Sequence, residues 1–258
     1  MQYQTIQFSV ADDVAVLTLN RPDVMNALNT QMRAEILHAV KAAETSARVL
    51  VMTGEGRAFC AGQDLGDRAA VGNLDLERTL RDEYEPMLMA IFACKVPTIA
   101  AVNGAAAGAG ANLALAADVV IAAESAVFLQ AFTRIGLIPD AGGTYWLPRQ
   151  MGFAKAMGAA LFAEPIAAQQ AADWGMIWEA VPDAEFAAHW QARAAKLATG
   201  PTAAYAHVKT ALRQSYENDL PTQLNLEAKL QGDCGQTRDF KEGVLAFLEK
   251  RPARFEGR

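Results

Sequence analysis

The chain is short of histidine and cysteine. Its three histidines, His38, His189 and His207, all fall inside helix-like patterns, so a histidine base is not expected. The three cysteines, Cys60, Cys94 and Cys234, are odd in number and scattered. They match neither a disulfide framework nor a zinc spacing, which points to a reducing cytoplasm and to no bound metal. Basic charge is scarce as well: 23 Lys and Arg against 29 Asp and Glu leave a formal net charge of −6. That balance argues against a nucleic-acid partner. The helix expected over 31–48 carries Arg33, Lys41 and Arg48 beside Glu35 and Glu44, which is no basic stripe either. Long apolar runs are missing too. The stretch 98–117 is broken by Asn103, several glycines and Asn112 and ends at Asp118, so it reads as buried core and not as a membrane span. Met1-Gln2-Tyr3-Gln4 opens a strand-like pattern, and no secretory leader is expected. There is no G-x-S-x-G elbow, no phosphate-binding G-x-x-x-x-G-K-[ST] and no H-E-x-x-H. The glycines between Gly104 and Gly110 are wrongly spaced for a dinucleotide fingerprint.

What remains is a globular composition, 52% hydrophobic and 20% charged. Ile6, Phe8 and Val10 alternate up to an Asp12-Asp13 turn, and residues 14–19 return as a second strand. A helix pattern follows over 30–47, then a buried strand at 49–53 stopped by Gly54-Glu55-Gly56. A polar loop is expected over 66–73 and a helix over 74–92. Strands at 98–102 and 119–122 flank a small-residue helix at 108–117, and a short apolar segment at 126–132 precedes a loop at 135–140. This order predicts an α/β domain with right-handed crossovers. Beyond Pro201 the pattern turns helical, over 202–216, 220–230 and 238–250. Residues 1–200 therefore read as an α/β core and 201–258 as a helical annex. No internal repeat is evident.

Three segments could carry chemistry. The first runs from Gly56 to Leu65, a glycine turn after a strand. The second, 103–112, passes from a strand end into a helix of Gly and Ala. Small residues there allow either close helix packing or close approach of a ligand to free backbone N–H groups. The third is Gly136-Leu137-Ile138-Pro139-Asp140. Asp140 either caps the following helix or is an acid–base group whose pKa is raised by apolar company.

Leu19-Asn20-Arg21-Pro22, Phe59-Cys60-Ala61-Gly62-Gln63-Asp64-Leu65, Ala101-Val102-Asn103-Gly104, Asp140-Ala141-Gly142-Gly143-Thr144, Glu242-Gly243-Val244 and Phe247-Leu248-Glu249-Lys250-Arg251 occur in an order that resembles the crotonase (enoyl-CoA hydratase/isomerase) family. The resemblance covers essentially the whole chain. It implies a ββα superhelix with a C-terminal helical trimerisation region, assembled as a homotrimer or a dimer of trimers. It also implies an acyl-CoA substrate, with coenzyme A as part of that substrate and no separate cofactor. The thioester enolate would be held by the N–H groups of Gln63 and Ala109. Ala61, Gly62, Asp64, Leu65 and Gly110 would contact the ligand, and Arg21, Arg57 or Lys250 its phosphates.

The departures narrow the reaction. The two glutamates that family hydratases use correspond to Asn112 and Phe132, neither of which transfers a proton as a carboxyl does. Asp140 is left as the single carboxylate, which suffices for an isomerase. Further runs, including Trp174-Gly175-Met176-Ile177-Trp178, are similar to a subgroup that converts ring-1,2-epoxyphenylacetyl-CoA to its oxepin and shifts double bonds in related acyl-CoAs. An aromatic pocket of Phe128, Phe132 and Trp146 would then hold the ring. The competing readings are a Δ3,Δ2-enoyl-CoA isomerase of linear chains and a 4-chlorobenzoyl-CoA dehalogenase type. The latter is weakened by Phe132 and Glu85 at its Trp and His positions. Cys60 is expected to be a buried filler.

Overall fold

The computed structural model describes residues 2–66 and 75–258. The polar loop expected over 66–73 and the helix start at residue 74 fall almost wholly outside them. The opening hairpin forms as expected from β1 (Ile6–Ala11) and β2 (Val14–Leu19), antiparallel in register from Ile6 opposite Leu19 to Ala11 opposite Val14. Asp12 and Asp13 turn the chain with φ of 49° and 62°, the left-handed pair that a two-residue hairpin needs.

Behind the hairpin the chain repeats a unit that the sequence does not advertise. A long strand is followed within a few residues by a three-residue strand, and then by helical chain. The long strands are β3 (Val49–Gly54), β5 (Thr98–Val102) and β7 (Val119–Ala123). The short ones are β4 (Ala58–Cys60), β6 (Ala105–Ala107) and β8 (Val127–Leu129). Each set pairs in parallel with its own kind, so successive units stack as a superhelix with two sheets. The first sheet runs β1-β2-β3-β5-β7-β10 and the second β4-β6-β8-β9, with β9 at Ile166–Ala167 and β10 at Glu179–Val181. This is the ββα superhelix that the sequence resemblance implies. The apolar runs of β3 and β5 follow from burial on both faces, as parallel strands require.

The helix Thr30–Ser46 is capped by Asn29, whose side chain accepts from the Met32 amide, and it turns Met32, Ile36, Ala39, Val40 and Ala43 inward. Arg33 and Glu35 are buried with them. The chain Leu76–Phe92 is helical throughout but widens to a π-type turn at Leu80–Tyr84, a distortion often placed beside functional sites. The expected small-residue helix spans Ala109–Leu115. After Pro201 come Thr202–Gln214, Leu220–Gly235 and Arg238–Glu249. Among the described residues, no helix is long and apolar enough to cross a membrane.

Candidate active site

Because β4, β6 and β8 are parallel neighbours, their C-terminal ends emerge side by side. Each end hands one residue to the same place: β4 leads to Gln63, β6 to Ala109 and β8 to Phe132. All three line one cavity of about 280 Å³, together with Ala61, Gly62, Leu65, Tyr84 and Asp140.

Two main-chain donors belong to residues on the lining of this cavity, Gln63 and Ala109. The Gly62 carbonyl accepts from the Leu28 amide at 2.7 Å. In that trans peptide the N–H belongs to Gln63 and points the opposite way, away from Leu28. The conformation depends on Gly62 (φ 94°), where a Cβ would stand 2.7 Å from the Ala107 oxygen and 3.4 Å from the Ala109 nitrogen. The same distances show how closely the first loop approaches the Ala109 amide. That amide opens its helix and has no intrahelical acceptor. Two neighbouring N–H groups on a largely apolar cavity can stabilise a negative oxygen if both point into it.

Asp140 lies opposite. Its carbonyl oxygen accepts from Asn112 Nδ2 at 2.7 Å and from the Gly143 amide at 2.8 Å. The carboxylate is therefore not used as a helix cap; Gly142 holds the cap position of Gly143–Met151. Carboxylate Oδ1 is buried and has no partner among the described residues. Burial raises the Asp140 pKa from 3.8 to about 6, against a smaller opposing effect of its own backbone N–H. A carboxyl so placed can take and return protons near neutral pH.

A second cavity, about 550 Å³, opens on the far side of Asp140 between Leu76–Phe92 and Gly143–Met151. Leu80, Tyr84 and Asp140 belong to both cavities. Its wall is aromatic: Phe92 and Tyr145 pack on Trp146 with ring centroids 5.3 and 4.8 Å away.

Several expected ligand contacts serve other purposes. Asn112 is fully buried, and its Oδ1 accepts from Gln130 Nε2, so it positions Asp140 and does not line the cavity. Gly110 is demanded by packing, since a Cβ there would overlap the Cys60 carbonyl oxygen. Asp64 pairs with Arg21 at 2.8 Å, and Arg21 also donates to the Ala27 carbonyl, so both charges are already engaged. Lys250 ends the last helix in a left-handed turn, exposed and away from both cavities within this chain. Phe128 is wholly buried in the core and lines neither cavity; Phe132 lines the first and Trp146 the second. Cys60 is a buried filler whose thiol is pushed up to about 12 by burial.

Sequence reading missed Tyr84, Glu83 and Arg33. The available signal was an arginine one residue after Met32 and three before Ile36, on the buried side of an amphipathic helix.

The family model for enoyl-CoA hydratase/isomerase matches residues 9–258. The chain belongs to the enoyl-CoA hydratase/isomerase family. A "Probable enoyl-CoA hydratase" of Rhodobacter capsulatus is 65% identical over 258 residues, covering 100% of each chain. The "1,2-epoxyphenylacetyl-CoA isomerase" of Escherichia coli is 46% identical over 254 residues, covering 96% of this chain and 97% of that one. Among solved structures, an enoyl-CoA hydratase from Polaromonas superposes with a TM-score of 0.92 at 32% identity, covering 97% of this chain and 99% of the other. The chain is therefore an enzyme of the crotonase family, in the range of acyl-CoA hydration and isomerisation.

Proposed function

We propose that the chain is an acyl-CoA isomerase. The observation that carries this is a single half-buried carboxylate, Asp140, on a cavity with two main-chain donors and, among the described residues, no second carboxylate on its lining. The Gln63 and Ala109 N–H groups would hold the thioester oxygen, so that loss of an α- or γ-proton leaves its negative charge on that oxygen. Asp140 would accept the proton at one carbon and return it at another. Phe132 on the lining and Asn112 behind it leave no carboxyl at the two hydratase positions, which favours proton movement over water addition.

The substrate in this reading is ring-1,2-epoxyphenylacetyl-CoA, with the oxepin as product, alongside double-bond shifts in related enoyl-CoAs. The aromatic wall of the second cavity and the likeness to the Escherichia coli isomerase support a ring substrate. Assembly as a homotrimer or a dimer of trimers belongs to the same proposal. It is supported by apolar residues left exposed on the C-terminal helices, among them Leu212, Phe247 and Leu248.

The test is isomerisation of a 3-enoyl-CoA to its conjugated 2-enoyl isomer, followed by ultraviolet absorbance. The reading requires turnover by the native protein and a loss of about 10²-fold or more in Asp140→Asn. Equal rates in the two proteins would reject it. Comparing the ring epoxide with linear substrates then separates the aromatic reading from a fatty-acyl isomerase. Chloride release from 4-chlorobenzoyl-CoA would point to a dehalogenase instead.

A further inference from the structure

Behind the first donor lies a buried charge with no part in the chemistry described so far. Arg33 is only 3% exposed. Removing a guanidinium from water is costly unless it is paired and its donors are met. Here all five N–H donors have acceptors. Nε and Nη2 bind Glu83 Oε2 at 3.0 and 2.5 Å, and Nη2 also reaches Thr30 Oγ1 at 3.3 Å. Nη1 donates to the Leu28 carbonyl at 2.7 Å and to Gln63 Oε1 at 3.0 Å.

The last two bonds bracket the Gln63 peptide. Leu28 takes the Gly62 carbonyl on its N–H, and its own carbonyl accepts from the Asp64 amide at 3.1 Å. Arg33 thus grips the segment that fixes the direction of the Gln63 N–H, and it also holds the Gln63 side chain. A guanidinium can only donate, so the carboxamide must turn its oxygen toward Arg33. That same oxygen then accepts from the Tyr84 hydroxyl at 2.5 Å. Glu83 and Tyr84 belong to the widened turn at Leu80–Tyr84, whose Leu80 and Tyr84 line both cavities. One buried cation therefore links the donor loop to the opposite wall.

We propose that Arg33 is a positioning residue, which orients the Gln63 N–H toward the substrate oxygen through Gln63 Oε1 and the Leu28 carbonyl. This rests on the enolate reading above. Its effect belongs to the chemical step, because a donor aimed at developing charge matters more in the transition state than in the bound substrate.

The experiment measures 3-enoyl-CoA isomerisation by the full chain for Arg33→Met, Arg33→Lys, Gln63→Met and the Arg33→Met/Gln63→Met double variant. Asp140→Asn serves as the control for the mechanism itself. Arg33→Met is expected to lower kcat about 10- to 100-fold with KM within about threefold. Arg33→Lys, with three donors in place of five, restores less than half of that loss on a logarithmic scale. Gln63→Met keeps the backbone donor and is expected to lower kcat about three- to tenfold, while the double variant falls no further than Arg33→Met alone.

A folded Arg33→Met with native kcat, or with a loss confined to KM, overturns the proposal. So does a double variant whose losses multiply. If Arg33→Met does not fold, Arg33→Met/Glu83→Gln removes the pair without stranding a carboxylate, and Gln63→Met carries the test in either case: native kcat in Gln63→Met refutes the link. Native activity in Asp140→Asn would instead mean that the enolate reading has failed, which is a separate result.

Discussion

Asn112 holds Asp140 by its main chain and not by its carboxylate: Nδ2 lies 2.7 Å from the Asp140 carbonyl oxygen, and carboxylate Oδ1 is buried with no partner among the described residues. The carboxamide is itself oriented by Gln130, whose Nε2 donates to Asn112 Oδ1 at 2.9 Å. Asn112→Ala should therefore cost about 1–3 kcal/mol of stability from stranded partners, and lower kcat by loosening the Asp140 turn. Denaturant unfolding and turnover of a 3-enoyl-CoA measure the two effects. An unchanged kcat would show that the turn does not need this bond.

The pH dependence of turnover should follow Asp140. With burial raising its pKa to about 6, the ionised form dominates at neutral pH and acts first as the base. The kcat/KM profile, which reports the free enzyme, should climb through about pH 6 and level off above it. Asp140→Asn should be low at every pH, without that step.

Stability should move the other way. Folding raises the Asp140 pKa from 3.8 to about 6, so the folded state binds the proton more tightly than the unfolded chain. Native stability from this group is then full below about pH 4 and is lost as pH rises through about 6. Allowing for partial exposure, the loss is about 1–2 kcal/mol. Asp140→Asn escapes it. The melting temperature of the variant relative to wild type should rise between pH 4 and pH 7.5, and a constant difference would contradict this.

Gly62→Ala should damage the first donor. The residue has a φ of 94°, and the added Cβ would meet the Ala107 oxygen at 2.7 Å. A cost of about 1–3 kcal/mol is expected from strain of this kind, together with a fall in kcat as the Gln63 peptide rotates. Thermal unfolding and the isomerisation assay give the two numbers.

Cys60 should be silent toward thiol reagents. Burial pushes its thiol up to about 12, and the side chain has no exposure to solvent. Iodoacetamide at pH 8 should leave Cys60 unmodified in the native protein and label it after unfolding, as peptide mass mapping would reveal.

The opening hairpin, the strand at 49–54 and the helix starting at Thr30 were all legible, because apolar periodicity and turn residues agree there. The strand Ala105–Ala107 was not. Alanine favours helix locally, and only parallel pairing with Ala58–Cys60 on one side and Val127–Leu129 on the other makes it extended. Without those short strands the ββα repeat is invisible in the sequence. Gln63 and Ala109 are candidates through motif likeness alone, since a backbone donor leaves no mark on residue identity, whereas Asp140 stands out by its place after Pro139 in apolar company. Asn112 stands in the sequence only as a missing glutamate; its grip on a main-chain carbonyl 28 positions away leaves no local signal. The same holds for Arg33, whose partners Gln63 and Glu83 lie 30 and 50 positions along the chain. Such long-range polar contacts carry no local periodicity.

The three short parallel strands also divide the labour of the enzyme. The first two lead to Gln63 and Ala109, whose proposed role as main-chain donors would survive almost any side chain that fits. The third delivers a side chain, Phe132, and the loop beyond it delivers Asp140. Under the proposed mechanism, sequence drift along the third turn and its loop would exchange one reaction for another while the hold on the thioester oxygen is inherited intact. A scaffold arranged in this way invites redesign at two positions, Phe132 and Asp140, with both main-chain donors left untouched.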